Sequence, residues 1–428
     1  MDSTPAPIDA AAADHVFRKI GMRLIPILGL GYFVNYLDRT NIGFAALTMN
    51  SALGLTATEF GLGAGLLFIG YSVFEIPSNL ALYHFGARRW IARILISWGL
   101  ISAGMAFVTG PRSYYAMRLA LGIAEAGFFP GVTFYLAMWF PAQYRARFFA
   151  WFLLAIPVSF LLGGPLGGFL LELDGALGVA GWQWLFLVEG IPAVIVGILV
   201  LRILADRPSD ASWLTAEEKR IATAVLEAEK RDRPHAHLWA ALRDPRVLIL
   251  ALVQFGFTLG SYGVGIFLPQ IIKGYGSSNL IVGLISAIPY IFASLAMLAW
   301  AAHVDRSGRK IFNLAVACAL SAAGLVFAIV SGSLIVALIG LTIALVGVTS
   351  ARAIFWTIPT RFLTGLAAAG GLAFINSIGT LGGFAGPYMM GWLKDFTGSF
   401  TAGLLAMAGL LVVTTLLTVS LKLLVRQE

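Results

Sequence analysis

Cysteine and charge are what this chain has least of. One cysteine, Cys318, in 428 residues excludes an intramolecular disulfide, and its place within an apolar run suits a small buried hydrophobe. No CxxC pair and no His-rich spacing offers a metal site, and no nucleophile elbow or HExxH helix suggests an embedded enzyme. Asp, Glu, Lys and Arg make up only 12% of the residues, where soluble domains carry about 25%. Apolar residues fill the difference, with 59% hydrophobic side chains and a mean hydropathy of +0.87. Such a composition belongs in a lipid bilayer. The net charge of +8 falls in short blocks between apolar runs, which argues against a nucleic-acid partner.

A spanning helix needs about 20 mostly apolar residues. Stretches of that kind lie at 22–46, 59–82, 90–109, 112–136, 147–172, 182–204, 246–272, 280–303, 310–330, 333–357, 365–391 and 399–423. The chain therefore reads as all-α, with twelve transmembrane helices in two pseudo-symmetric six-helix bundles at 22–204 and 246–423. A polar tail over 1–21, its first ~17 residues read as disordered, precedes them, and a short tail over 424–428 follows. The first span is too long and too polar for a cleaved signal peptide. Between the bundles, 205–245 reads as a tether with one amphipathic helix in the run Leu214 to Arg233. Of the 29 Lys and Arg residues, Arg112, Lys273 and Lys394 fall on one side and Arg39, Arg118 and Arg352 inside spans. All the rest share the side of both termini and the linker, which the positive-inside rule makes the cytoplasm of an inner (plasma) membrane.

The two halves repeat. Phe85-Gly86-Ala87-Arg88-Arg89 after the second span answers Val304-Asp305-Arg306-Ser307-Gly308-Arg309-Lys310 after the eighth, with Gly86 and Gly308 lying 222 positions apart. Gly163 to Gly168 in the fifth span is echoed by Gly382-Gly383-Phe384-Ala385-Gly386-Pro387 in the eleventh. The safer reading of both runs is close helix packing. Repeated halves around a midplane site describe a rocking transporter.

Asp305 to Lys310 is close to the signature loop D-R-x-G-R-R/K of the major facilitator superfamily, which the chain resembles. The first-half copy departs from it, with Tyr83 where the acid is usual, so the charge-locking role given to that acid is in doubt for the N-terminal half. More narrowly, the chain is similar to the anion:cation symporter family, carriers of galactonate, hexuronates, tartrate and phthalate. The tartrate- and phthalate-type members are nearest. The resemblance rests on Asn35 to Asn41, Arg118 to Ala126, Trp184 to Pro192, Phe355-Trp356 and Phe374 to Gly379. It implies proton-coupled uptake of a small organic anion by alternating access, with the proton as coupling ion, no other cofactor, and function as a monomer. Anion exchange and a non-transporting receptor of the same fold are the competing readings.

Charges within spans are few: Asp38, Arg39, Glu75, Arg118, Glu125, Glu189 and Arg352. Each costs about 2.5–3.5 kcal/mol near a helix centre, so each needs a reason to be there. Asp38 and Arg39 are neighbours but point about 100° apart around a helix. Tyr36, three residues before Arg39, shares its face. A guanidinium fork matches a carboxylate, so Arg39 with Tyr36 is the leading anion-binding pair. The competing reading is a structural ion pair with Glu125 or Asp38.

On the family's pattern Asp38 and Glu125 are the proton-coupling acids. Arg118, seven residues before Glu125 and on its face, would hold Glu125 ionised in one state and release it in another. Tyr71, Trp356 and Asn376 match cavity positions of the family. Glu75, one turn after Tyr71, reads mainly as a stabiliser of the cavity's inner half, and Glu189 as a satisfied structural acid. Gln254, Ser261, Tyr262 and Gln270 line the seventh span as neutral hydrogen-bonding candidates, of which Gln254 and Tyr262 share roughly one face. Arg352 has two readings. Snorkelling to the interface is preferred, while a place in the cavity would give one cation per half and suit a substrate with two acidic groups. His84, His235, His237 and His303 read as bystanders.

Overall fold

The computed structural model describes residues 10–230, 244–330, 332–359 and 365–424. His235, His237 and the residues past Leu424 lie outside them, as does the end of the linker run beyond Lys230. Among the described residues every element is helical. Eleven helical segments are long and apolar enough to cross a membrane. The eleventh span is a pair, Gly365–Thr380 and Gly382–Thr397, each of 16 residues and too short to cross alone. With it the spans number twelve.

The first span, Ala10–Leu53, begins well inside the stretch read as a tail. The correction has a simple cause. Ala13, Val16, Phe17 and Ile20 form a buried stripe, and the Phe17 ring stacks on Tyr144 at 4.9 Å. The linker helix, Ala216–Lys230, is tied to this extension where Lys19 Nζ donates to both Glu218 oxygens at 2.8 Å.

The second and third spans, Ala57–Phe85 and Ala87–Gly104, turn at Gly86 (φ 88°). A Cβ there would lie 2.9 Å from the Asp206 carboxylate, which accepts from Arg88 N at 2.9 Å. Asp206, reached from the far end of the half, thus caps the third span beside the loop that lacks its own acid.

The fourth span breaks between Pro111–Glu125 and Phe128–Trp139. Gly127 (φ 85°) makes the turn, while Ser78 Oγ donates to the freed Ala126 carbonyl at 2.6 Å. Glu125 therefore sits on the last turn before a discontinuity. The fifth span runs through Ala142–Leu153 and Ala155–Leu171, and the sixth is Gly181–Ile203. The second half comprises Pro245–Lys273, Asn279–Ser307, Lys310–Ala328, Leu334–Phe355, the split eleventh span and Thr401–Leu424. Cys318 is buried in the ninth span.

Three glycine seams join the halves, all on the side away from the termini. Gly43 of the first span lies against the Ile266 carbonyl of the seventh, where a Cβ would come within 2.7 Å. Gly61 of the second meets the Pro387 carbonyl of the eleventh (2.3 Å), and Gly164 of the fifth meets Gly283 of the eighth (2.5 Å). Apolar burial cannot drive helices together in lipid, so close backbone approach does that work. Polar clips flank the seams: Asp395 accepts from Ala57 N and Thr58 N at 3.1 and 2.7 Å, and Glu172 accepts from Leu280 N at 3.2 Å. The halves are therefore sealed at the face opposite the termini.

Candidate functional site

The middle of the first span sends its polar side chains in two directions. Asp38 points into the N-terminal half, toward the third span. Its Oδ1 accepts from Asn41 Nδ2 at 2.8 Å and from Ser102 Oγ, and its Oδ2 accepts from Trp98 Nε1. All four groups are buried. Ser102 lies four residues after Trp98, so one face of the third span supplies both donors.

Arg39 points the other way, toward the second half. Its Nε donates to Glu125 Oε1 at 2.6 Å, its Nη2 pairs with the same carboxylate, and its Nη1 donates to Tyr262 Oη at 3.1 Å. The guanidinium lies over the Tyr36 ring at 5.7 Å and the Tyr71 ring at 5.3 Å. Asn35 Nδ2, one helical turn earlier, donates to the same Glu125 oxygen at 2.7 Å.

Tyr262 carries the cluster across to the seventh span. Its ring packs on Phe68 at 4.4 Å, and the Arg352 guanidinium sits 5.7 Å from its centroid. Arg352 also donates to Ser261 Oγ at 3.3 Å. The preferred snorkelling reading is overturned: Arg352 turns inward from the last turn of the tenth span, drawn by an aromatic face and a hydroxyl. Among the described residues no carboxylate pairs with it. Two guanidiniums from opposite halves thus flank one tyrosine, and only one has an acid.

One turn toward the terminal face, a second bridge crosses between halves. Asn376 Nδ2 donates to both Glu75 oxygens at 2.9 and 3.2 Å, and Asn376 Oδ1 accepts from Gln254 Nε2 at 3.3 Å. Glu75 therefore holds the second span to the eleventh through an amide.

Two further expectations change. Arg118 is fully buried but spends its reach on the Gly63 and Ala64 carbonyls, at 3.4 and 3.2 Å; the guanidinium on Glu125 belongs to Arg39. Shared face along one helix brought Arg118 level with Glu125, but the neighbouring second span claimed it first. Glu189 is not fully satisfied: it is 2% exposed, and its Oε2 has no hydrogen-bond partner among the described residues.

Trp356 is not drawn into the hydrogen-bonded cluster. It packs on the C-terminal core, edge-on to Phe355 at 5.3 Å. Asn35, Asn41, Trp98 and Ser102 received no role from the sequence, although the one-turn spacing of Asn35 to Arg39 and of Trp98 to Ser102 was there to be read. Gln270 Nε2 finds no partner among the described residues.

Residues 28–387 match the Major Facilitator Superfamily. Two proteins of Agrobacterium vitis, each named "Putative tartrate transporter", are 52% identical over 408 residues, which is 95% of this chain and 91% and 94% of theirs. A protein of Acinetobacter baumannii named "Quinolone resistance transporter" is 42% identical over 370 residues, 86% of this chain and 85% of that one. Among solved structures, the xylose transporter XylE from E. coli in a partially occluded inward-open conformation superimposes with a TM-score of 0.75 at 16% identity. That match covers 92% of this chain and 96% of the other, and speaks to the fold alone.

Proposed function

The chain belongs to the Major Facilitator Superfamily of membrane transporters, and from that premise we propose that it is a proton-coupled symporter taking up a small hydroxylated dicarboxylate of the tartrate kind. It is a multi-pass membrane transporter of organic substrates, not an enzyme. The observation that carries the finer reading is the pair Arg39 and Arg352, one from each half, on either side of Tyr262. A guanidinium binds a carboxylate through two parallel N–H donors. Two of them, with Tyr262 between and Tyr36 and Tyr71 beside Arg39, suit an anion with an acid at each end and hydroxyls in the middle. The name carried by the 52%-identical relatives supports that class.

Bringing a divalent anion into a negative-inside compartment costs about 2.3 kcal/mol per charge per 100 mV, so co-transported protons offset the cost. The Lys/Arg asymmetry supports cytoplasmic termini. The seal on the opposite face then faces outward. The protein works as a monomer in the inner (plasma) membrane.

A second reading, anion exchange, is favoured by the Arg39–Glu125 pair, which keeps Glu125 engaged by a fixed cation. Uptake of labelled tartrate into empty proteoliposomes, driven by an imposed pH step, separates the two. Accumulation above the equilibrium level supports symport. Flux only in vesicles preloaded with anion supports exchange.

A further inference from the structure

Behind the substrate cluster, on the opposite face of the first span, lies a second acidic site with no cation in it. Asp38 and Glu189 are 4% and 2% exposed, and Asn41 stands between them. Its amide nitrogen donates to Asp38 Oδ1 at 2.8 Å, and the Glu189 carboxylate interacts with both Asn41 and Asp38. The sixth span that carries Glu189 is pressed onto the third at Gly190, where a Cβ would lie 2.6 Å from Ala103 N, so Glu189 is brought beside the Ser102 turn that donates to Asp38.

The supply of donors is uneven. Asp38 receives three, from Asn41, Trp98 and Ser102. Among the described residues Glu189 Oε2 and Asn41 Oδ1 have no hydrogen-bond partner. From the first span Glu189 faces Asp38 and Asn41, and from the third span Trp98 and Ser102 complete the cluster through Asp38. Arg118 of the fourth span, which also feels the Asp38 charge, gives its Nε and Nη2 to backbone carbonyls and keeps Nη1 without a partner among the described residues; it forms no ion pair with either acid. Two carboxylates in one dry site cannot both stay ionised without a counter-charge. What the cluster lacks is one proton.

Building on the proton-coupled reading, we propose that Asp38 and Glu189, bridged by Asn41, form the binding site of the transported proton, with Glu189 as the residue that carries it. Loading breaks an O–H bond of hydronium and forms one at the Glu189 carboxylate; release breaks that bond and returns the proton to water. The substrate cation Arg39 is the next residue along the same helical turn as Asp38, so ionising Glu189 pushes on the turn that also holds the anion. Proton and substrate then occupy separate pockets that share a backbone, and Glu125 stays paired with Arg39.

Two measurements test this. In pH-difference infrared spectra of ligand-free protein at neutral pH, the wild type should show the carbonyl band of a protonated carboxylic acid, and Glu189→Gln should remove it. An unchanged band overturns the assignment, whatever the protein transports. In proteoliposomes with tartrate as probe, Glu189→Gln should lose at least tenfold of pH-driven accumulation while tartrate counterflow, which moves no net proton, continues. Wild-type-like accumulation in the variant overturns the inference. Failure of the wild type itself to respond to pH overturns the symport reading and leaves the infrared result to decide the proton's place. Should Glu189→Gln not fold, Asn41→Ala serves instead: the carbonyl band should shift as its neighbour is removed, and an unshifted band counts against the site.

Discussion

The two halves repeat one architecture but not one chemistry. The N-terminal half holds Asp38, Arg39, Glu75, Arg118, Glu125 and Glu189 within its spans; the C-terminal half offers Arg352 and a set of neutral partners, Gln254, Ser261, Tyr262 and Asn376. In the first half every charge but Glu189 meets donors or acceptors that satisfy most of it. In the second, the one cation stands beside a ring and a hydroxyl with no acid at hand. A repeated architecture thus divides the charge: one half holds nearly all the buried ionisable groups, and the other presents a guanidinium among neutral partners.

The sharpest way to break that division is at Arg39. Arg39→Ala leaves Glu125 buried without its counter-charge, a loss of about 3–5 kcal/mol, so tartrate uptake should fall more than a hundredfold. Arg39→Lys should remain well below wild type, since an ammonium lacks the fork. Uptake at wild-type affinity in the lysine variant would move substrate recognition out of the N-terminal half.

Arg352→Ala tests the other side. Hydrogen bonds to charged groups are worth about 1.5–3 kcal/mol, so dicarboxylate affinity should drop roughly ten- to hundredfold while a monocarboxylate competes as before. An equal loss for both anions would make Arg352 a general attractor and not the receiver of a second acid.

Substitution at a seam asks whether the halves move as units. Gly283→Val places side-chain atoms against the fifth span, and overpacking costs about 1–3 kcal/mol, enough to shift the population toward a far-face-open state five- to hundredfold. Because Cys318 is the one native cysteine and is buried, thiol labelling at cysteines introduced near the far face reads this directly. Unchanged labelling would show that the halves yield locally instead of rocking.

The smallest effect belongs to the linker. Hydrogen bonding from Lys19 holds the Glu218 carboxyl below its ordinary 4.5. A depressed carboxyl contributes stability above its unfolded value and loses it as pH falls through the folded one. The clasp is therefore intact at neutral pH and fades only below about pH 4.5. Glu218→Gln should alter thermal unfolding by less than about 1 kcal/mol and leave uptake unchanged.

Composition and period were enough to read the spans, because a bilayer imposes length and apolarity on every helix. The splitting of Asp38 from Arg39 was also legible, since helical geometry alone sends neighbours to different faces. Partner choice was not. Arg118 and Arg39 were both plausible companions for Glu125, and only the packing of the second span against the fourth decides between them. Arg352 was misjudged because depth along a helix does not reveal which way a long side chain bends. Glu189 was read as satisfied because counting potential donors in a sequence cannot show that the third span spends its own on Asp38.

The Asp395 clip has one more consequence. It seats a carboxylate of one half on the first-turn N–H groups of the other, at an exposed position. When the halves part, water can solvate both, so releasing the clip costs no more than a few kcal/mol. That is the scale at which a minor conformation stays populated at the per cent level. The closure behaves as a detent: firm enough to define a resting position, and shallow enough that binding a single ion can tip the molecule out of it.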